Sequence, residues 1–164
     1  MASLINLTHL HIKVHQSEAE ALHGLGKLPN LVLLNLSSET SGALERCIIT
    51  KGYFQCLKVF SYKCRRCGMG LQFEPGAMPQ LQRLWISFKP LQIMSGYGSF
   101  DFGIQYLSRL SSIRTTINFW RATASDVVEA AYAAIREQVS LNPNSPLLEL
   151  SIEKGDDMEM DDGA

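Results

Sequence analysis

The chain has 164 residues, room for one domain with a modest core and too few for a large enzyme with a separate regulatory domain. Hydrophobic residues make up 46%, charged residues 19%, and the net charge is −1, a balance that excludes a disordered acidic or basic chain and fits a globular one. No apolar stretch approaches the roughly 20 residues of a membrane helix, and Met1-Ala2-Ser3 leads into patterned sequence without a signal peptide's regions, so a cytoplasmic protein with no membrane association is expected.

From the first residues onward the unit Leu-x-x-Leu-x-x-Leu-x-Leu recurs, with aliphatic or aromatic substitutions. Its copies are Leu4, Leu7, Leu10, Ile12; Leu28, Leu31, Leu34, Leu36; Phe54, Leu57, Phe60, Tyr62; and Met78, Leu81, Leu84, Ile86. A fifth copy, Leu107, Leu110, Ile113, Thr115, puts a threonine in the last apolar place. Between third positions the steps are 24, 26, 24 and 29 residues, close to the period of leucine-rich repeats. The last two apolar positions of each copy lie two apart, so in an extended chain they point together into a core while the residues beside them face outward. Each copy thus supplies a short parallel strand: Leu10 to Lys13, Leu34 to Ser37, Phe60 to Lys63 and Leu84 to Ser87. No single copy can bury its apolar face alone, so neighbours stack. The expected fold is α/β: a leucine-rich-repeat solenoid with a curved parallel sheet on the concave side and irregular or short helical convex connections.

Among those connections, Ser38 to Gly52 offers turn formers and a short helix around Ala43 to Ile49, while Cys64 to Ala77 is glycine-rich and reads as irregular. In Gly96 to Gly103, Phe100 or Phe102 is expected to plug the core beneath a loop. One longer helix begins at Thr123, with Asp126 in its capping region; Val128, Ala131, Ile135 and Val139 share a face, and Asn142-Pro143 ends it. Leu148, Leu150 and Ile152 then alternate as a final strand, with Leu150 matched to Ile113.

Residues 149–164 hold seven acids against Lys154, which leaves 14 basic and 9 acidic residues in 1–148, a net +5. Those bases are too spread out to argue for nucleic acid. The boundaries are 1–155 for the repeat domain and 156–164 for a disordered acidic tail.

Three segments, Phe73-Glu74-Pro75-Gly76-Ala77-Met78-Pro79-Gln80-Leu81-Gln82-Arg83-Leu84, Phe100 to Leu107, and Ala122 to Ala131, give the chain a resemblance. It resembles the carboxy-terminal leucine-rich-repeat region of plant nucleotide-binding leucine-rich-repeat disease-resistance proteins, particularly those of grasses. The resemblance implies a part in plant defence, with a pathogen effector, a host target or receptor domains as protein ligand. Nucleotide binding does not carry over: Gly26-Lys27 is followed by Leu28 and lacks the earlier glycine of a phosphate-binding loop. The chain reads as the sensor end of such a receptor without its nucleotide switch.

Chemistry-bearing residues form no persuasive catalytic set. Cys64 and Cys67 have half-zinc-site spacing without a second close pair, and His9, His11, His15 and His23 lack a carboxylate at matching spacing. No Gly-x-Ser-x-Gly elbow occurs. No enzyme activity, metal or cofactor is expected. Binding information belongs instead on outward strand positions: His9, His11, Lys13, Asn35, Lys63, Arg83, Trp85 and Arg114. Trp85 flanked by Arg83 and Arg114 has the composition of a protein-binding hot spot; a tryptophan packed under a neighbouring loop is the competing reading. The expected function is a non-catalytic recognition module, with a structural scaffold or decoy that pairs with full-length receptors as the alternative. With Leu4, Ile5, Leu7, Leu10 and Ile12 uncapped, the first repeat is expected to self-associate.

Overall fold

The computed structural model describes residues 2–15, 18–38, 46–64, 70–90, 93, 100–119 and 125–154. The expected tail and the start of the expected helix at Thr123 lie outside them. After a 3-10 turn at Ala2–Asn6, the elements are β1 (His9–Val14), α1 (Glu18–Leu25), β2 (Leu33–Ser38), β3 (Arg46–Ile49), β4 (Val59–Cys64), β5 (Gly70–Phe73) and β6 (Arg83–Phe88). A second 3-10 turn, Ile104–Tyr106, precedes β7 (Ser112–Phe119), α2 (Ser125–Leu141) and β8 (Leu147–Lys154).

Six strands form one sheet in the order β1-β2-β4-β6-β7-β8, and every neighbouring pair is parallel. The repeat arithmetic explains the register. Leu10, Leu34, Phe60, Leu84, Ile113 and Leu148 lie across from one another, as do Ile12, Leu36, Tyr62, Ile86, Thr115 and Leu150. The four central members of the first column are 0–1% exposed, whereas Leu10 and Leu148 at the two ends are half-buried. Slipping one strand by a single residue would turn two such side chains to water, each worth about 1.5–3 kcal/mol, so the register is strongly specified.

A backbone device repeats with the sequence. The Thr8 carbonyl accepts from the N–H groups of Val32 and Leu33 (2.7 and 3.0 Å), and the Val32 carbonyl from those of Lys58 and Val59 (2.8 and 3.1 Å). Lys58 does the same for Gln82 and Arg83, and Gln82 for Ser111 and Ser112. One carbonyl before each of β1, β2, β4 and β6 thus takes two donors from the next repeat, which satisfies the turn and sets the stacking distance together. The first and second apolar positions are joined by a tight turn in which Leu57 N–H donates to Phe54 and Leu81 N–H to Met78. Phe54 and Met78 sit at φ 53° and 41°; their near-complete burial holds a conformation that bulky residues otherwise avoid.

The reverse side differs from the expectation at several places. Where a helix was expected over Ala43 to Ile49, residues 46–49 form β3, while 43–45 lie outside the described residues. Inside the stretch read as irregular, Gly70–Phe73 forms β5, and the two strands pair in parallel from Arg46–Gly70 to Ile49–Phe73. Alternation is the cause: Cys47 and Ile49 point inward about an outward Ile48, and Leu71 and Phe73 about Gln72. The first connection carries α1, for which no helix was anticipated. Ile113 pairs with Leu148, two residues before the expected Leu150; the shift keeps the same face inward because strand periodicity is two. Both Phe100 and Phe102 are buried, packed on Phe88 with ring centroids 6.3 and 5.3 Å away.

Helix α2 is held to this aromatic loop by polar groups as well as by Ala131, Ile135 and Val139. Gln138, 8% exposed, accepts from Phe102 N–H at 3.0 Å and Ile104 N–H at 3.4 Å, and donates to the Phe100 carbonyl at 2.6 Å. Just past the helix, Asn142 donates to the carbonyls of Ile104 and Leu107 (3.0 and 2.9 Å) and accepts from Asn144 N–H at 2.9 Å. Asn142 thereby ends the helix and ties its end to the start of the fifth repeat.

Candidate functional site

Strand alternation that buries one set of columns presents three others outward, and pairing places the expected residues on them. His9, Leu33, Val59, Arg83 and Ser112 form the first row; His11, Asn35, Ser61, Trp85 and Arg114 the second; Lys13, Ser37, Lys63, Ser87 and Thr116 the third. Of the eight expected residues, His9, His11, Lys13, Lys63, Arg83, Trp85 and Arg114 are exposed and Asn35 is half-buried. They do not gather into one cluster. His9 and His11 stand on β1, where the Thr8 hydroxyl lies 2.9 Å from His9 Nδ1, and Trp85 and Arg114 meet on β6 and β7.

That meeting is the most organised part of the face. The Arg114 guanidinium carbon lies 5.0 Å from the Trp85 ring centroid, and its Nε donates to Glu149 Oε2 at 2.9 Å. Trp85 remains 38% exposed, with a guanidinium over one ring face. Glu149 is the partner that strand-by-strand reading missed. It lies 35 residues from Arg114 in sequence, and its only local sign is its place between Leu148 and Leu150 in an alternating strand. Both charges are more than half exposed, so the pair adds little stability; its effect is to orient Arg114 over the indole. Nearby, Asn118 Nδ2 donates to Ser87 Oγ at 2.7 Å, and the hydroxyls of Thr116 and Ser151 are 3.2 Å apart. Between Asn35, Ser61, Lys63, Trp85, Ser87 and Thr116 the face sinks into a groove of about 320 Å³.

Charge divides along the sheet. Outward positions of β1, β2, β4, β6 and β7 carry His9, His11, Lys13, Lys63, Arg83 and Arg114 and no carboxylate, whereas β8 carries Glu149 and Glu153. Cys47 is buried and Cys56 exposed; Cys67 and the side chain of Cys64 lie outside the described residues. No helix among the described residues is long and apolar enough to cross a membrane.

Parallel strands at a repeat of 24 to 29 residues, stacked through shared turn carbonyls, define a class, and the chain belongs to the leucine-rich repeat family, whose region model matches residues 1–148. Within that class it is similar to Disease resistance protein RGA5 of Oryza sativa subsp. japonica, at 32% identity over 143 residues, 87% of this chain. The chain spans 12% of that relative's length. The resemblance to plant disease-resistance proteins is thereby borne out over most of the repeats. No solved structure matches the chain.

Proposed function

We propose that the chain is a non-catalytic recognition module of plant innate immunity, acting in the cytoplasm and binding a protein partner on the outward face of its six-stranded sheet. The observation that carries this reading is Trp85: a large aromatic, 38% exposed on a strand, with the Glu149-paired guanidinium of Arg114 laid over its ring. Buried aromatics and arginines dominate interface energetics, and an anchor already held in place forgoes part of the ordering cost of binding. A sheet face lined by successive repeats supplies the extended surface that repeat proteins use for partners. Similarity to a rice disease-resistance protein supports the immune setting.

The test compares wild type with Trp85→Ala, Arg114→Ala and Ile48→Ala in quantitative affinity capture from infected and uninfected plant tissue. Ile48 is 46% exposed on the opposite side of the molecule. A protein held by wild type and Ile48→Ala, and lost at least tenfold with Trp85→Ala, is the expected result. Equal capture by all four chains would remove the face from the function.

A further inference from the structure

We infer that the partner segment taken by this face is acidic at one end, apolar at its centre and basic at its other end, and that it crosses the strands with its acidic end over β1 to β6. The inference rests on the recognition reading above and adds the chemistry and direction of the occupant. Outward cationic and imidazole groups occupy β1, β4, β6 and β7, while the outward carboxylates, Glu149 and Glu153, are confined to β8. Arg114 is already committed, bonded to Glu149 and laid over Trp85. The exposed side chains of Lys63 and Arg83, two strands that pair directly, therefore offer the charge an incoming segment meets at mid-sheet.

Dimensions limit the segment. Strands about 4.8 Å apart place β1 and β6 roughly 14 Å from each other and the two sheet edges roughly 24 Å, so an extended peptide at about 3.3 Å per residue crosses the basic part in about four residues and the whole sheet in about seven. An apolar side chain following the acidic residues then falls at Trp85 and the groove beside it. A cation beyond it reaches Glu153, while reversing the peptide sets acid against acid on β8. Opposite potentials of this kind fix orientation and reject wrong partners.

Two synthetic peptides test the idea by NMR titration of the full chain at low salt: Asp-Glu-Asp-Gly-Leu-Ser-Lys and its charge-inverted counterpart Lys-Arg-Lys-Gly-Leu-Ser-Glu. Shifts at Lys63, Arg83 and the Trp85 indole N–H are expected with the first peptide and not the second. Affinity should fall at least tenfold in Lys63→Glu/Arg83→Glu and stay within twofold in Glu129→Lys, an exposed change on α2. Equal binding of both peptides, or undiminished binding in the double variant, overturns the acidic occupant. If wild type binds neither peptide but a chain with Asp156→Asn, Asp157→Asn, Glu159→Gln, Asp161→Asn and Asp162→Asn binds the first, the face belongs to the chain's own acidic end and the partner assignment is overturned. The two readings fail separately: capture lost with Trp85→Ala but kept in Lys63→Glu/Arg83→Glu refutes the charge inference and leaves the recognition reading standing, whereas equal capture by all of them refutes the recognition reading.

Discussion

Thr115 occupies the second core column between Ile86 and Leu150, fully buried, and its hydroxyl has no hydrogen-bond partner among the described residues. Every other member of that column is larger, and all but Tyr62 are aliphatic. A buried unpaired hydroxyl carries a desolvation cost of order 1–3 kcal/mol, so Thr115→Val, which keeps the shape, should stabilise by about 1 kcal/mol and raise the melting temperature by about 2–4 °C. Leu34 and His11 give the reciprocal contrast on neighbouring strands. Leu34 is 0% exposed and packs between β1 and β4, so Leu34→Ala should cost about 2–5 kcal/mol, a large share of a domain's stability. His11 faces solvent, and His11→Ala should stay within about 0.5 kcal/mol. Denaturant unfolding of the three variants and a thermal melt of Thr115→Val read all of this, and equal losses for Leu34→Ala and His11→Ala would refute the inside and outside assignment.

Helix α2 adds a polar clasp to an apolar face. Because Gln138 meets two N–H groups and one carbonyl of the Phe100 to Ile104 loop, Gln138→Leu would strand three backbone groups in a dry setting, at an expected cost of about 2–4 kcal/mol. Amide exchange at Phe102 should accelerate together with that loss, whereas exposed Glu137→Gln should change neither. The clasp was not legible in the sequence, since a glutamine among Ala131, Ile135 and Val139 reads only as a break in an apolar stripe and its partners lie 34 to 38 residues away. Five main-sheet strands were legible because each carries two inward positions at a fixed offset from two earlier apolar residues, and β8 because Leu148, Leu150 and Ile152 alternate. Strands β3 and β5 have two inward residues each and no such lead-in, so glycine and turn formers around them dominated the local pattern. Gly103, at φ 75°, shows a constraint of the same origin: a side chain there would run into the Phe73 carbonyl beside the Phe73-to-Phe102 backbone bond of 2.7 Å. Gly103→Ala should therefore lower stability, readable as a reduced melting temperature.

At the scale of the whole molecule, burial falls away toward both ends of the six-stranded sheet. The columns of inward residues, from Leu34 to Ile113, are sealed by neighbours on either side, while Leu10, Ile12, Leu148 and Leu150 are half-buried. Ile5 is 51% exposed at one end, and Leu141, Leu147 and Ile152 are 62%, 67% and 47% exposed at the other. Apolar side chains are therefore exposed at both ends and not at the first repeat alone: α2 and β8 seal Ile113 and Ile117 yet bring apolar surface of their own. Two different apolar ends on parallel strands favour a head-to-tail contact, because each end can continue the other's sheet in register, and a contact between unlike surfaces does not close on itself. Wild-type chain should therefore sediment as a concentration-dependent series of species at micromolar concentration. A charge at either end should interrupt every contact, so Ile5→Asp and Leu147→Asp should each give monomer with unchanged circular dichroism, and an equimolar mixture of the two should recover at most dimers, through the one unaltered end on each. A wild-type monomer across that range, or Leu147→Asp associating as wild type does, would eliminate the head-to-tail contact.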